Sequence, residues 1–282
     1  MRCFLFVPGD SARKFKRASE GAADALILDL EDSVSTDEKQ TARKATRDIL
    51  ESPRASQSLW VRVNALDTGL TKEDLAAVMP AKPDGIVLPK CSSSDDVTTL
   101  AKMMDEIETG TDAEIIGIAT ETADSVLGLV TSYNDCSPKL WGLMWGAEDL
   151  MASLGASIIK RDGEYTEPFR LARNLCLMAA SAAGIAAIDT VFTDIDNLDA
   201  LKNEAAIARQ DGFSAKAVIH PKHVDIVNAA FTPTDNEVAW AKNVVAAFEA
   251  DPRAGVVNID GKMIDKPHQK AAQKILDMAA YE

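Results

Sequence analysis

Aromatic residues make up only 5% of this 282-residue chain, and histidine and cysteine occur three and four times. Cys3, Cys91, Cys136 and Cys176 are widely spaced and form no CxxC pair, which excludes a zinc module and a compact disulfide framework. A reducing cytoplasm is the expected setting. Glycine and proline, 15 and 11 residues, are too few for a fibrous or low-complexity chain. The longest uncharged stretch, 174–188, carries Ser181 and Gly184 and falls short of the roughly 20 apolar residues of a membrane span. The first apolar run is broken by Asp10 and the basic residues after it, too early for a signal peptide. Positive charge is also scarce: 30 Lys and Arg face 44 Asp and Glu, a net charge of −14. Such a chain repels nucleic acid and anionic lipid, so an anionic ligand needs a local basic patch.

What is present is globular: 46% apolar and 26% charged residues. Short apolar runs recur at 3–7, 25–28, 59–63, 85–88, 114–119, 140–145, 185–188 and 215–219, with amphipathic segments such as 37–50 and 167–183 between them. Alternating βα units of this length read as an α/β (β/α)8 TIM barrel, with a doubly wound sheet as the competing architecture. The barrel needs residues 1–221. Residues 222–282 form a C-terminal extension: a Pro-punctuated loop (231–235), a helix (236–249), a hairpin or arm (255–265) and a last helix (267–280). Such an appendage is suited to cover a barrel mouth, its own or that of a neighbouring subunit.

Active sites of barrels sit at the C-terminal ends of the strands, and there this sequence is rich in carboxylates. The second run ends in Asp29, Glu31 and Asp32, the third in Arg62 and Asn64, the fourth in Lys90, the fifth in Glu121, the sixth in Gly146, Glu148 and Asp149, and the seventh in Asp189. Glu121 and Asp149 end consecutive strands, so the barrel sets them side by side as two hard oxygen ligands of the kind Mg²⁺ takes from proteins. The alternative is a pair of solvated loop acids. Arg62, inside Trp-Val-Arg-Val-Asn, must find an anion: a substrate carboxylate, a partner in the 29–32 run, or both, with Glu31 or Asp32 orienting it. The run Arg13-Lys14-Phe15-Lys16-Arg17 follows the first strand loop as a footprint for a phosphate-bearing ligand or as a solvated helix face.

Other chemistries find little support. No GxSxG elbow is present, His220 and His223 have no third ligand, and Cys91 has no histidine near it in sequence. Carboxylates around Lys90 keep its amine protonated and unsuited to a Schiff base.

These segments together resemble the HpcH/HpaI aldolase and citrate lyase β-subunit family, in its CitE-like branch of acyl-CoA lyases. The resemblance rests on FLFVPGD (4–10), GAADALILDLEDSV (21–34), WVRVN (60–64), GIVLPK (85–90), IATETADSVLGL (118–129), GLMWGAEDL (142–150), Ile219-His220-Pro221 and DGKMIDKPH (260–268). It implies a TIM barrel assembled into trimers or hexamers, Mg²⁺ (or Mn²⁺) on Glu121 and Asp149, and a carboxylate-binding Arg62. It also implies a CoA thioester across the mouth, with Asp265 delivered from a neighbouring subunit as acid/base. Glu31, Asp32 and Gly146 join Arg62 as substrate-binding candidates, and Arg13, Lys14 and Arg17 are the candidates for the CoA phosphates. The implied reaction cleaves or forms a 3-hydroxy-3-carboxyacyl-CoA such as malyl-CoA or citramalyl-CoA, giving acetyl-CoA or a homologue and a 2-oxo acid. The alternatives are a citrate lyase β chain acting on an acyl carrier protein within a complex, and an aldolase for free 2-oxo-4-hydroxy acids. Met144-Trp145-Gly146 departs from the family pattern. A Trp145 side chain near the metal would narrow the pocket toward glyoxylate or pyruvate.

Overall fold

The computed structural model describes residues 1–107, 112–130, 133, 134 and 136–280. Eight parallel strands close on themselves: β1 (Cys3–Pro8), β2 (Ala25–Asp29), β3 (Ser58–Arg62), β4 (Gly85–Leu88), β5 (Glu114–Ile118), β6 (Leu140–Met144), β7 (Ala186–Asp189) and β8 (Ala215–Val218). Each strand pairs with the next in chain order, and β8 returns to β1 with Lys216 opposite Cys3 and Ala217 opposite Phe4. The sheet therefore has no edge, which excludes the doubly wound alternative. All five residues of β2, Ala-Leu-Ile-Leu-Asp, are buried, as expected where one face meets the barrel core and the other the helical layer.

Helices fill the crossovers: α1 (Ala12–Ser19), α2 (Lys39–Glu51), α3 (Thr71–Val78), α4 (Ser94–Asp105), α5 (Ala123–Gly128), α6 (Glu148–Leu154), α7 (Glu167–Ala183) and α8 (Leu198–Asp211). Their starts are written locally. Ser93, Thr122 and Asn197 cap α4, α5 and α8 by accepting hydrogen bonds from first-turn amides that have no helical partner. The expected helix at 167–183 is α7 itself. A two-residue-per-strand hairpin (Lys160–Arg161 with Glu164–Tyr165) lies in the β6–β7 crossover and has no hydrophobic periodicity to announce it.

The barrel interior is a packed core. Phe4, Ile27, Trp60, Val87, Ile116, Ile118, Met144, Ile188 and Ala217 come from all eight strands and interdigitate around the axis. Phe4, Trp60 and Trp141 pack ring against ring with centroids 5.5–6.0 Å apart. Gly85 is required beside them, because a Cβ there would fall 2.2 Å from the Trp60 ring. That floor is filled, so among the described residues the barrel axis opens toward its mouth.

Two compact units divide the chain, Met1–Asn228 and Ala229–Glu282. The first runs past residue 221 because His223 is buried, its Nε2 3.1 Å from the Ile195 carbonyl, at the start of α9 (Val224–Phe231). The second contains α10 (Asp235–Ala250), an antiparallel hairpin (Val256–Ile259 with Lys262–Asp265) and α11 (Lys266–Ala279). Its own small core is built from Ala241, Val244, Phe248, Ile264 and Ala272. Among the described residues no helix is long and apolar enough to cross a membrane.

Candidate active site

Strand alternation sets the site. Ile27 and Trp60 point into the barrel, so Asp29 and Arg62, two residues further on, do the same one layer higher. They are register partners across β2 and β3. Arg62 donates from Nε to Asp29 Oδ1 (2.7 Å) and from Nη2 to Asp29 Oδ2 (2.8 Å). Its third nitrogen, Nη1, lies 3.0 Å from Glu31 Oε2 and 4.0 Å from Asp32. The guanidinium also stands 5.0 Å above the Phe6 ring. Burial opposes the charge on Asp29, yet the Arg62 guanidinium and the amides of Glu31 and Ser33 hold its carboxyl below the ordinary range.

Lys90 joins the carboxylates across the mouth. Its backbone adopts the left-handed conformation (φ 50°), rare outside glycine and a mark of sites where local strain is retained. That turn aims its N–H at Glu121 Oε2 (2.5 Å) while its ammonium reaches Glu31 Oε1 (2.5 Å) and lies 3.7 Å from Asp149. Burial works against this charge, but Glu31, Glu121 and Asp149 hold the amine well above its ordinary value. Glu121 is 5% exposed; burial first, then repulsion from Glu31 and Asp149, pushes its carboxyl up to about 8. Asp149 sits in the first turn of α6 and remains half-exposed.

These groups border a cavity of about 440 Å³ at the C-terminal end of the barrel, lined by Phe6, Arg62, Glu121, Met144, Gly146 and Asp149 among others. Its size suits a small organic acid or the reacting end of a larger ligand. Arg62, Asp32, Glu121, Gly146 and Asp149 line it, and Glu31 touches it through Arg62 and Lys90. All candidate metal ligands are carboxylate oxygens, the donor set of a hard divalent cation. Burial and the neighbouring acids disfavour the ionised form of Glu121, and a cation beside it would favour that form. Among the described residues no group of three His, Cys, Asp or Glu is arranged around one point, so a cation there would complete its shell with water or substrate.

The other expectations fall elsewhere. Arg13, Lys14 and Arg17 are exposed on α1 and do not line the cavity, although the Arg17 charge reaches His220, whose pKa is lowered mainly by desolvation and by the neighbouring cations. Asp265 belongs to the second unit, where its Oδ1 lies 2.5 Å from His268 Nδ1, a contact that holds the carboxyl below the ordinary range. Met144 and Gly146 take the inward positions, and Trp145 turns behind β6, donating its indole N–H to Asp189 Oδ1 (2.6 Å) edge-on to Tyr165. It still lines the cavity, with its indole N–H committed to Asp189 rather than to the carboxylate cluster. Cys91 is fully buried, with a thiol pushed up to about 12, and is inert.

Comparisons with known proteins agree with this fold. The HpcH/HpaI aldolase/citrate lyase family model matches residues 2–221. Citrate lyase subunit beta of Escherichia coli K12 is 38% identical over 285 residues, covering 99% of this chain and 93% of the relative. A (3S)-malyl-CoA thioesterase of Cereibacter sphaeroides ATCC 17025 is 34% identical, covering 99% and 94%. Among solved structures, Mycobacterium tuberculosis CitE in complex with magnesium, acetoacetate and coenzyme A aligns with a TM-score of 0.80 at 35% identity, covering 99% of this chain and 98% of that one. A citrate lyase β subunit from the same organism, complexed with oxaloacetate and magnesium, aligns at 0.71 with 36% identity over 82% and 96%.

Proposed function

This chain belongs to the HpcH/HpaI aldolase/citrate lyase family, and from that premise we propose that it is a Mg²⁺-dependent carbon–carbon lyase acting on a 3-hydroxy-3-carboxyacyl-CoA of the malyl-CoA or citramalyl-CoA type. The observation that carries the reading is the convergence of buried Glu121 with Asp149 and Arg62 on one cavity of small-acid size. The relatives bound to magnesium, coenzyme A and small oxo acids support the choice of ligands.

Glu121 and Asp149 would hold Mg²⁺, or Mn²⁺ in its place. When bound, the ion supplies Lewis-acid polarisation of the substrate's hydroxyl and carboxylate oxygens. Arg62 contributes positive charge to the carboxylate through Nη1, since its other two contacts are taken by Asp29. Lys90 holds Glu121 in place through its backbone N–H and pairs with Glu31 through its ammonium. In the cleavage direction a general base of the site takes the hydroxyl proton, the carbon–carbon bond breaks to a 2-oxo acid, and its electron pair becomes the thioester enolate. Asp265, from a neighbouring subunit of a trimer or hexamer, gives that enolate carbon its proton, or takes one from the methyl group in condensation. Arg13, Lys14 and Arg17 receive the CoA phosphates on the rim. Four cysteines outside any disulfide suit a cytoplasmic location.

A second reading, a citrate lyase β chain that works on an acyl carrier protein, is favoured by the 38% identical relative. Mass spectrometry separates the two. Purified protein is incubated with acetyl-CoA or propionyl-CoA and glyoxylate, pyruvate or oxaloacetate, with Mg²⁺ or with EDTA. A Mg²⁺-dependent adduct is expected. No adduct in any mixture, with no CoA binding, would overturn the CoA-lyase reading in favour of the carrier-protein subunit or a free-acid aldolase.

A further inference from the structure

Between the two proposed metal ligands lies a side chain with no part in the chemistry so far. Thr120 immediately precedes Glu121, is fully buried, and is joined to the other strand twice through one oxygen. Its hydroxyl accepts a hydrogen bond from the Gly146 N–H (2.8 Å) and donates one to the Gly146 carbonyl (3.0 Å). A single hydroxyl thus closes both backbone groups of the residue that leads into Glu148-Asp149.

The clip acts on a segment with little freedom. On one side, Gly146 lies so near Glu121 that a Cβ on it would fall 2.8 Å from Glu121 Cγ, so this backbone forms the wall against which the glutamate stem rests. On the other, the preceding residue is tied down: the Trp145 indole donates to Asp189, and Asp189 is held by fully buried Lys216 at 2.6 Å. Lys216 spends its remaining donors on the Thr190 carbonyl (2.7 Å) and Glu204 (3.0 Å). The end of β6 is therefore anchored from behind by Trp145 and from the side by Thr120.

We infer that Thr120 is a positioning residue whose hydroxyl, by clipping the Gly146 backbone, fixes the spacing between the Glu121 and Asp149 carboxylates and so sets affinity for the divalent ion. This rests on the reading that those two carboxylates hold the ion. The physical requirement is general: ligands held by the protein's own hydrogen bonds need not be ordered by the metal, and outer partners of this kind change metal affinity about 10- to 100-fold when removed.

Mn²⁺ binding to the purified full chain, followed by electron paramagnetic resonance and calorimetry without substrate, tests this. Wild type, Thr120→Val, Thr120→Ser, Glu121→Gln and Asp149→Asn are compared, with Thr98→Val as a control. Thr98 also bridges two segments, donating to the Ser94 and Cys136 carbonyls, but away from the metal pair. The expected result is Mn²⁺ affinity lowered at least about 10-fold in Thr120→Val, retained within about threefold in Thr120→Ser and unchanged in Thr98→Val. Should Thr120→Val fail to fold, Thr120→Ala takes its place with the same expected loss, and unchanged Mn²⁺ affinity in it, or a loss in folded Thr120→Ser beyond that in Thr98→Val, overturns the clip. If wild type binds through Glu121 and Asp149 but Thr120→Val binds as tightly, the inference alone is overturned. If wild type binds no Mn²⁺, or binds it equally without either carboxylate, the metal reading and the inference fall together.

Discussion

Asp29 and Arg62 face one another at the same level of β2 and β3 and share two parallel hydrogen bonds of 2.7 and 2.8 Å. The geometry a guanidinium would use to hold a substrate carboxylate is thus already spent on a protein carboxylate. What Arg62 offers the cavity is fixed charge and Nη1, which itself lies 3.0 Å from Glu31 Oε2. A lysine cannot reproduce this, because its single ammonium has no fork.

Arg62→Lys should therefore be damaging despite its conserved charge. The expected loss in kcat/KM is about 10- to 100-fold, the size of one or two charge-assisted hydrogen bonds. Steady-state kinetics with the oxo acid as varied substrate measures it. Wild-type kinetics in the lysine variant would show that charge alone suffices.

The buried pair behind the site bears on stability rather than chemistry. Lys216 and Asp189 are both inaccessible to solvent and 2.6 Å apart. Removing the lysine leaves buried Asp189 without its nearest cation, while Glu204 keeps Lys160 and the Tyr165 hydroxyl, so Lys216→Ala should lower unfolding free energy by about 3–5 kcal/mol. Urea denaturation checks this; a loss below about 1 kcal/mol would mean that water or Arg173, 3.5 Å from Asp189, takes over.

Glu121 gives the metal-free protein a pH dependence of definite sign. Its folded pKa, raised to about 8, exceeds the ordinary glutamate value of 4.5, so between these limits the native state holds a proton that the unfolded chain has released. Stability from this group is full below the unfolded value, falls as pH rises toward 8 and is level above it. Metal binding displaces the proton, so Mg²⁺ affinity should rise over the same window. Thermal melts in EDTA across this range should show the decline, and Glu121→Gln should remove its share.

Gly146→Ala probes contact rather than charge. The added methyl would meet Glu121 Cγ at 2.8 Å, and the glutamate stem has the Ile118 side chain on the same side, 3.3 Å from the new carbon. The glutamate must shift. A stability loss of about 1–3 kcal/mol and a metal affinity lowered about 10-fold are expected, read by denaturation and Mn²⁺ titration.

The sequence made the barrel legible because each strand is a short apolar run closed by polar residues, and the carboxylates at strand ends followed from that alternation. Glu121, Asp149, Arg62 and Gly146 were found in this way and share a cavity. Asp29 was underrated as the chief partner of Arg62, since its role depends on cross-strand register, which is set by hydrogen bonding rather than composition. Trp145 stands between inward-facing Met144 and Gly146, and its indole partner Asp189 comes from β7, which no local pattern names. Lys216 carried a signal in plain view, a lysine inside Ala-Lys-Ala-Val, but its partners come from α8 and β7 and no local pattern names them.

The extension allows a test that needs no structure of the assembly. If Asp265 serves a neighbour's site, a chain lacking Arg62 and a chain lacking Asp265 are each inactive alone but complement one another when mixed. Asp265→Asn keeps the hydrogen-bonding shape beside His268, so the hairpin and α11 should remain folded. With random exchange of subunits at equal amounts, a working site needs an intact Arg62 on one chain and an intact Asp265 on the next, which occurs in about a quarter of sites. Co-refolded Arg62→Ala and Asp265→Asn should then recover about a quarter of wild-type activity. If each site instead used its own Asp265, every site in the mixture would lack one group or the other, and activity would stay at the level of the separate variants.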